Sequence, residues 1–285
     1  MKNRAMSLSL HIKAYPYLIA PAVIFLLLVF VYPLLTLIPV SINFPKISLE
    51  NYAKLFTVSL YSVVIFKTLW IGALVTIICL ALGYPVAFTI SNLRPKLVGI
   101  FLIPVILPFW TSLLVRTYAW MVILQRKGMV NEFLQKIGLI SKPITLLYNE
   151  FSVIVGMVHV LLPFMILPIY SNLQGRDRNL EFAANNAGAN PIKTFFWITL
   201  PLSLPGISAG CLLVFVIAIG FFITPALLGG KKVLMISMLI EEQVIEYLNW
   251  GLASAVSFGL LVITLVIILV YYKIIGLEKI MGQWE

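Results

Sequence analysis

Charge is scarce in this sequence. Only 11% of its 285 residues are Asp, Glu, Lys or Arg, against 61% hydrophobic, and the mean hydropathy is +1.06. A water-soluble chain of this length could not hide so much apolar surface in one core, so the natural solvent is lipid. Acids are scarcer still: 10 against 20 Lys and Arg, a net charge of +10. In a soluble protein that balance would point to nucleic acid. Here the bases fall in short segments between apolar runs, where they set topology and meet anionic lipid; membrane lipid, not nucleic acid, is the expected partner. Histidine is limited to His11 and His159. Cys79 and Cys211 both lie inside apolar runs and read as small buried hydrophobes rather than a disulfide or metal pair. No apolar run carries paired carboxylates or a His/Asp metal spacing, which speaks against a membrane hydrolase and leaves no metal ligands to name. A phosphate-binding loop is missing too: Gly229-Gly230-Lys231-Lys232 lacks the upstream Gly and the following Ser/Thr, and reads as a turn.

What is present is a series of charge-free windows, at 14–45, 68–93, 97–115, 151–175, 194–230 and 247–272. Each accommodates a helix of about 20 residues, the length that crosses the hydrocarbon core. The expected fold is therefore an all-α membrane bundle in a single domain over 1–285, with spans near 16–41, 62–92, 98–124, 151–171, 202–224 and 251–273. The first window is too long for a signal-peptide core and lacks a clear cleavage site, so it reads as a retained span. Between spans, Met129 to Leu139 and Ser237 to Trp250 suggest amphipathic surface helices. Six spans put both termini on one side. Lys2, Arg4, Lys13, Arg94, Lys96, Arg176, Arg178, Lys193, Lys273 and Lys279 would share that side. They are half of the 20 basic residues, so the positive-inside rule does not choose between the two orientations.

The segment 172–200 decides the orientation. Ala183, Ala184, Ala187 and Ala189 form a narrow helical surface that suits a groove on a partner, and Gly188 followed by Pro191 marks a sharp break before a second helical stretch. This stretch resembles the EAA loop of ABC importer permeases, E-A-A-x3-G-x9-I-x-L-P. Ala183, Ala184, Gly188, Ile198, Leu200 and Pro201 match its spacing. The position of the family Glu holds Phe182, and Glu181 stands one residue earlier, about 100° away around a helix. Pro108 to Ile140, Leu161 to Leu173 and Leu200 to Phe215 further resemble the spermidine/putrescine branch, which includes opine and aminoethylphosphonate importers.

The resemblance implies a type I importer permease. It would sit in the bacterial inner membrane with the loop and both termini in the cytoplasm. Coupling to an ATPase would run through Glu181, Phe182, Ala183, Ala184, Gly188 and Ala189. The implied partners are a second homologous permease, two cytoplasmic ATPase subunits and an external substrate-binding protein. ATP and magnesium would be used by the ATPases, with no cofactor bound by this chain and no catalysis of its own. Polyamine is the implied cargo; an opine, aminoethylphosphonate or other small polar solute is the alternative. A self-contained secondary transporter would need acids deep in its spans, and the charge-free windows contain none.

For the translocation path the candidates are Trp110, Thr111, Arg116, Tyr118, His159, Glu241 and Glu242. Arg116, expected near the outer end of the third span, either lines the path, snorkels to the interface or pairs with Glu132 or Glu150. Trp110, Tyr118 and Trp120 suit substrate contact or an interfacial aromatic belt. His159 is a ligand or a packed, hydrogen-bonded span residue. Glu241, Glu242 and Glu246 either attract cations or form a solvated helix face.

Overall fold

The computed structural model describes residues 19–275. Five helices in that range are long and apolar enough to cross a membrane: α1 (Ile19–Ser41), α3 (Ser59–Asn92), α7 (Glu150–Gln174), α9 (Pro191–Ile219) and α11 (Trp250–Ile275). Between α1 and α3 lies the short α2 (Glu50–Thr57). Between α3 and α7 come α4 (Pro95–Ile106), α5 (Leu113–Leu124) and α6 (Met129–Lys136). The loop after α7 carries α8 (Asn179–Asn186), and α10 (Ile236–Ile245) precedes α11. The bundle thus has a loop end, marked by α8, and an opposite end, marked by α2 and α10.

The core is built from α3, α7 and α9. Ile71, Val75 and Cys79 of α3 pack with Met157, Leu161, Met165 and Ile169 of α7 and Val214 and Ala218 of α9, all fully buried. Around them the lipid-facing surface is apolar: Phe66 is 71% exposed, Leu28 61% and Leu269 62%, values that would be a liability in water and are ordinary in hydrocarbon. In such a solvent helices associate by close packing rather than by a hydrophobic drive. Gly206 and Gly210 of α9 supply the approach. A Cβ on Gly206 would come within 2.6 Å of the Asn172 Cβ and 3.0 Å of the Ile169 Cα, and one on Gly210 within 3.2 Å of the Met165 carbonyl oxygen.

Proline shapes the crossings unequally. Pro163 and Pro168 lie within a single unbroken α7. Pro201 cannot donate to the Trp197 carbonyl, and its ring pushes that carbonyl away; the turn just before it, Phe195–Thr199, widens to a π turn. The helical stretch read from sequence after Pro191 and the span that follows it are thus one helix, which runs unbroken into the bundle. The third crossing, read from sequence as 98–124, is not straight. α4 ends in a 3-10 turn, Leu107–Trp110, and the chain bends by 99° before α5 continues. Pro104 and Pro108, on successive turns, each remove an amide donor there, and the tighter turn follows.

At the opposite end Lys67 bridges Glu150 at 2.9 Å and the Lys232 carbonyl at 3.2 Å, and the Ile236 amide donates to Thr68 Oγ1 at 2.9 Å. On α10 the buried stripe is Ile236, Leu239 and Gln243. Ile245 and Leu248, within the stretch read from sequence as one amphipathic helix to Trp250, stay exposed: α10 ends at Ile245, and Leu248 adopts a φ of +51°.

The close α7–α9 approach yields a direct expectation. Gly206→Leu should cost about 1–3 kcal/mol by overpacking, read as a lowered thermal midpoint of the detergent-purified protein. Gly99→Leu, on a face where a new Cβ meets nothing within 4 Å, should leave the midpoint unchanged.

Candidate coupling loop and translocation path

The loop end is held by one buried cation. Arg176, directly after α7, has a side chain only 2% exposed. Its Nε donates to Glu181 Oε1 at 3.0 Å, its Nη1 to Ser91 Oγ at 3.1 Å and to the Leu173 carbonyl at 3.2 Å, and its Nη2 to Asn92 Oδ1 at 2.8 Å. The Phe88 ring lies 5.8 Å from the guanidinium carbon. The same Glu181 oxygen accepts from Thr199 Oγ1 at 2.7 Å. A planar, five-donor guanidinium suits this task because it can satisfy several acceptors in fixed directions at once. One side chain therefore joins the last turns of α3 and α7 to α8, and Glu181 carries the connection on to α9. Arg178 adds a bond from its Nη2 to the Ser91 carbonyl. Tyr84, Phe88 and Phe195 stack beside this knot with ring centroids 5.6–6.4 Å apart.

The rest of α8 faces outward. Phe182 is 62% exposed, Ala183 and Gly188 are exposed, and Ala184 and Ala189 are half-buried. Gly188 adopts a φ of +85°, the left-handed conformation the break requires. Asn190 caps α9 by accepting from the Lys193 amide, and Thr194 Oγ1 bonds Asn185 Oδ1 at 3.0 Å, which fixes the angle between α8 and α9. Ala184, Ala189, Lys193, Thr194, Trp197 and Ile198 line a shallow depression of about 390 Å³. The one-residue offset between Glu181 and Phe182 now has a geometric meaning: the acid turns inward to Arg176 and the aromatic ring outward.

The candidate path residues divide into two groups. Trp110 ends the 3-10 turn and is 88% exposed, and Thr111 Oγ1 donates to the Pro108 carbonyl at 3.0 Å in the break. Arg116 is half-buried on α5; its Nη2 makes one long contact, 3.4 Å, to the Thr111 carbonyl, and its buried Nε has no partner. Tyr118 is 54% exposed. Trp120 Nε1 donates to His159 Nδ1 at 3.1 Å, which orients the imidazole. Glu241 and Glu242 form a separate site at the opposite end. With Glu246, Lys231, Ala226 and Met238 they line a cleft of about 360 Å³. The Pro225–Gly229 turn lies between the groups: Thr224, just before it, reaches Thr117 of α5 at 3.4 Å, while Ala226 lines the acidic cleft. Neither Glu132 nor Glu150 pairs with Arg116; Glu150 is taken by Lys67.

Sequence reasoning found Glu181 but missed its partners Arg176, Ser91, Asn92 and Thr199. The signal available was an i,i+5 basic–acidic pair in a loop, with two polar residues closing an apolar run at 91 and 92.

An all-helical bundle with a short exposed helix bolted to its loop end is the architecture of ABC transporter permeases. A chain of a bacterial alginate ABC transporter, solved in complex with an alginate pentasaccharide-bound periplasmic protein, shares this fold with a TM-score of 0.74 at 20% identity, over 92% of this chain and 94% of that one. No family model matches the chain. Curated relatives do. The spermidine/putrescine transport system permease protein PotB of Haemophilus influenzae is 46% identical over 227 residues, 80% of this chain and 79% of its own length. PotB of Escherichia coli K12 is 39% identical over 226 residues, 79% of this chain and 82% of its own. The E. coli inner membrane ABC transporter permease protein YdcU is 32% identical over 213 residues, 70% of this chain and 67% of its own. The chain belongs to the spermidine/putrescine transport system permease family of ABC transporters and is a membrane permease subunit.

Breaking the Arg176 knot from its acid side leaves a buried guanidinium uncompensated, a change that costs about 3–5 kcal/mol in comparable sites. In Glu181→Ala, amide hydrogen exchange across Asn179–Asn186 should rise at least about tenfold while Met157–Leu161 stays protected. Glu181→Gln, which can still accept from Thr199, should show a smaller rise. Unchanged exchange in Glu181→Ala would mean that α8 is held by other contacts.

Proposed function

We propose that this chain forms half of the translocation path of a binding-protein-dependent polyamine importer. A second homologous permease supplies the other half, two ATPase subunits dock at the loop end, and an external binding protein delivers cargo at the opposite end. The loop end and both termini then face the cytoplasm, in a bacterial inner membrane. The observation that carries this reading is the exposed α8, presented to a partner yet tied through Glu181 and Arg176 to the ends of α3, α7 and α9. A push on that helix reaches the bundle core without passing through a flexible joint.

Phe182, Ala183, Ala184, Gly188 and Ala189 form the docking face, and Glu181 is the positioning residue behind it. ATP and magnesium are used by the partner ATPases. Their closure moves α8, the two permeases reorient outward, cargo enters from the binding protein, and hydrolysis restores the inward-facing state. At the opposite end, the cleft of Glu241, Glu242 and Glu246 gives an arriving polycation a region of negative potential. Trp110, Thr111, Arg116, Tyr118 and His159 lie deeper along the route. The names of the relatives support spermidine and putrescine as cargo.

Two measurements test this. Labelled spermidine and putrescine should enter cells in a manner dependent on this gene, and unlabelled polyamine should compete while opines and aminoethylphosphonate do not. Uptake competed by one of the latter would keep the importer and change the cargo. Separately, Gly188→Glu should abolish ATP-driven uptake with membrane insertion intact, because a side chain at φ +85° strains the break and adds charge to the docking face. Normal transport by that variant would sink the docking assignment.

A further inference from the structure

Arg116 lies at an unexpected depth. Phe109, just before the break, packs edge-on against Phe164 with centroids 5.0 Å apart, and Trp120, one turn after Arg116, bonds His159. Both contacts are on the middle part of α7. At 1.5 Å per residue, each is roughly 14–15 Å from the nearer end of that helix. Arg116 sits between them along the chain, so its charge is held near mid-depth of the bundle and not at an interface. The 99° bend at Thr111–Ser112 brings it there.

An unpaired guanidinium among apolar spans is costly, and such charges pair with one another or line a water-filled cavity. The described residues of this chain do not provide a counter-charge. Among the described residues the acids are Glu50, Glu132, Glu150, Asp177, Glu181, Glu241, Glu242 and Glu246, and none forms an ion pair with Arg116. Its Nε is buried without an acceptor, and its one hydrogen bond is the long contact to Thr111. The surface beside it is open: Trp110 is 88% exposed, Val115 65% and Tyr118 54%. An aromatic, apolar face with an unmet cation at its centre has the composition of an interface core awaiting a complementary acid.

We propose that Arg116 pairs with a carboxylate of the second permease subunit, across the interface where the two halves of the path meet. The proposal rests on the two-permease reading above. The pair is charge-neutral, so it is tolerated at mid-depth, and the fork of the guanidinium fixes the register of the two subunits there. It also leaves the partner's carboxylate unavailable to stray cations while the pair is closed.

The test uses the whole transporter in cells, with uptake as the readout and the complex purified to establish its subunits. Arg116→Met should reduce polyamine uptake at least about tenfold, with the variant protein still inserted, while Arg116→Lys, which keeps the charge and loses the fork, should retain more uptake than Arg116→Met. Arg116→Glu should abolish uptake, and selection for restored uptake should return substitutions of one Asp or Glu of the second permease by a neutral or basic residue. Wild-type uptake by Arg116→Met would overturn the proposal. So would failure to recover such suppressors, or suppressors confined to this chain. A purified transporter lacking any second permease would instead overturn the two-permease reading, independently of every Arg116 variant.

Discussion

Arg176 is the point on which the two tasks of this molecule depend, spanning the membrane and presenting a helix outside it. A side chain 2% exposed and positively charged is expensive to bury, and it persists because acceptors on every side of the guanidinium satisfy its donors. Those acceptors come from the ends of α3 and α7 and from α8. Glu181 accepts from Thr199 with the oxygen that binds Arg176, so the start of α9 joins the same network. The exposed α8 has no core of its own to bury. Its position is set by electrostatics in a low-dielectric corner, where geometry is enforced more strictly than by apolar contact.

The bundle above this knot follows from the solvent. In hydrocarbon, backbone groups must be satisfied within the helix, and association relies on shape. Gly206 and Gly210 allow α9 to lie almost backbone-to-backbone on α7. The same constraint explains why Pro163 and Pro168 are harmless in α7, which is packed on both sides, while Pro104 and Pro108 precede a 99° bend in the loosely packed third crossing. Arg116 lies on α5, the helix that follows this break.

The likeness to an alginate transporter chain at 20% identity shows how little the scaffold says about cargo. A saccharide transporter and relatives named for polyamines share one bundle. What distinguishes them must reside in side chains along the path and in partners, not in helix order. In this chain Glu241, Glu242 and Glu246 line a cleft at one end, and the Pro225–Gly229 turn separates them from α5, which carries Arg116.

By itself the sequence determined the class of solvent, the all-helical architecture, the location of the exposed loop and the turn at Gly188. Each of these is a local property: hydropathy over about 20 residues, or the conformational freedom of a single glycine. The tertiary structure alone decided that Glu181 turns inward to Arg176 and that Ser91, Asn92 and Thr199 complete the knot. It also decided that the helical stretch after Pro191 is continuous with the following span and that the chain bends by 99° before Arg116. These depend on residues 85 positions apart in the chain meeting in space, and on the angle of one break. Neither leaves a periodic trace in the sequence, because a hydrogen bond to a distant helix end imposes a partner without imposing a pattern.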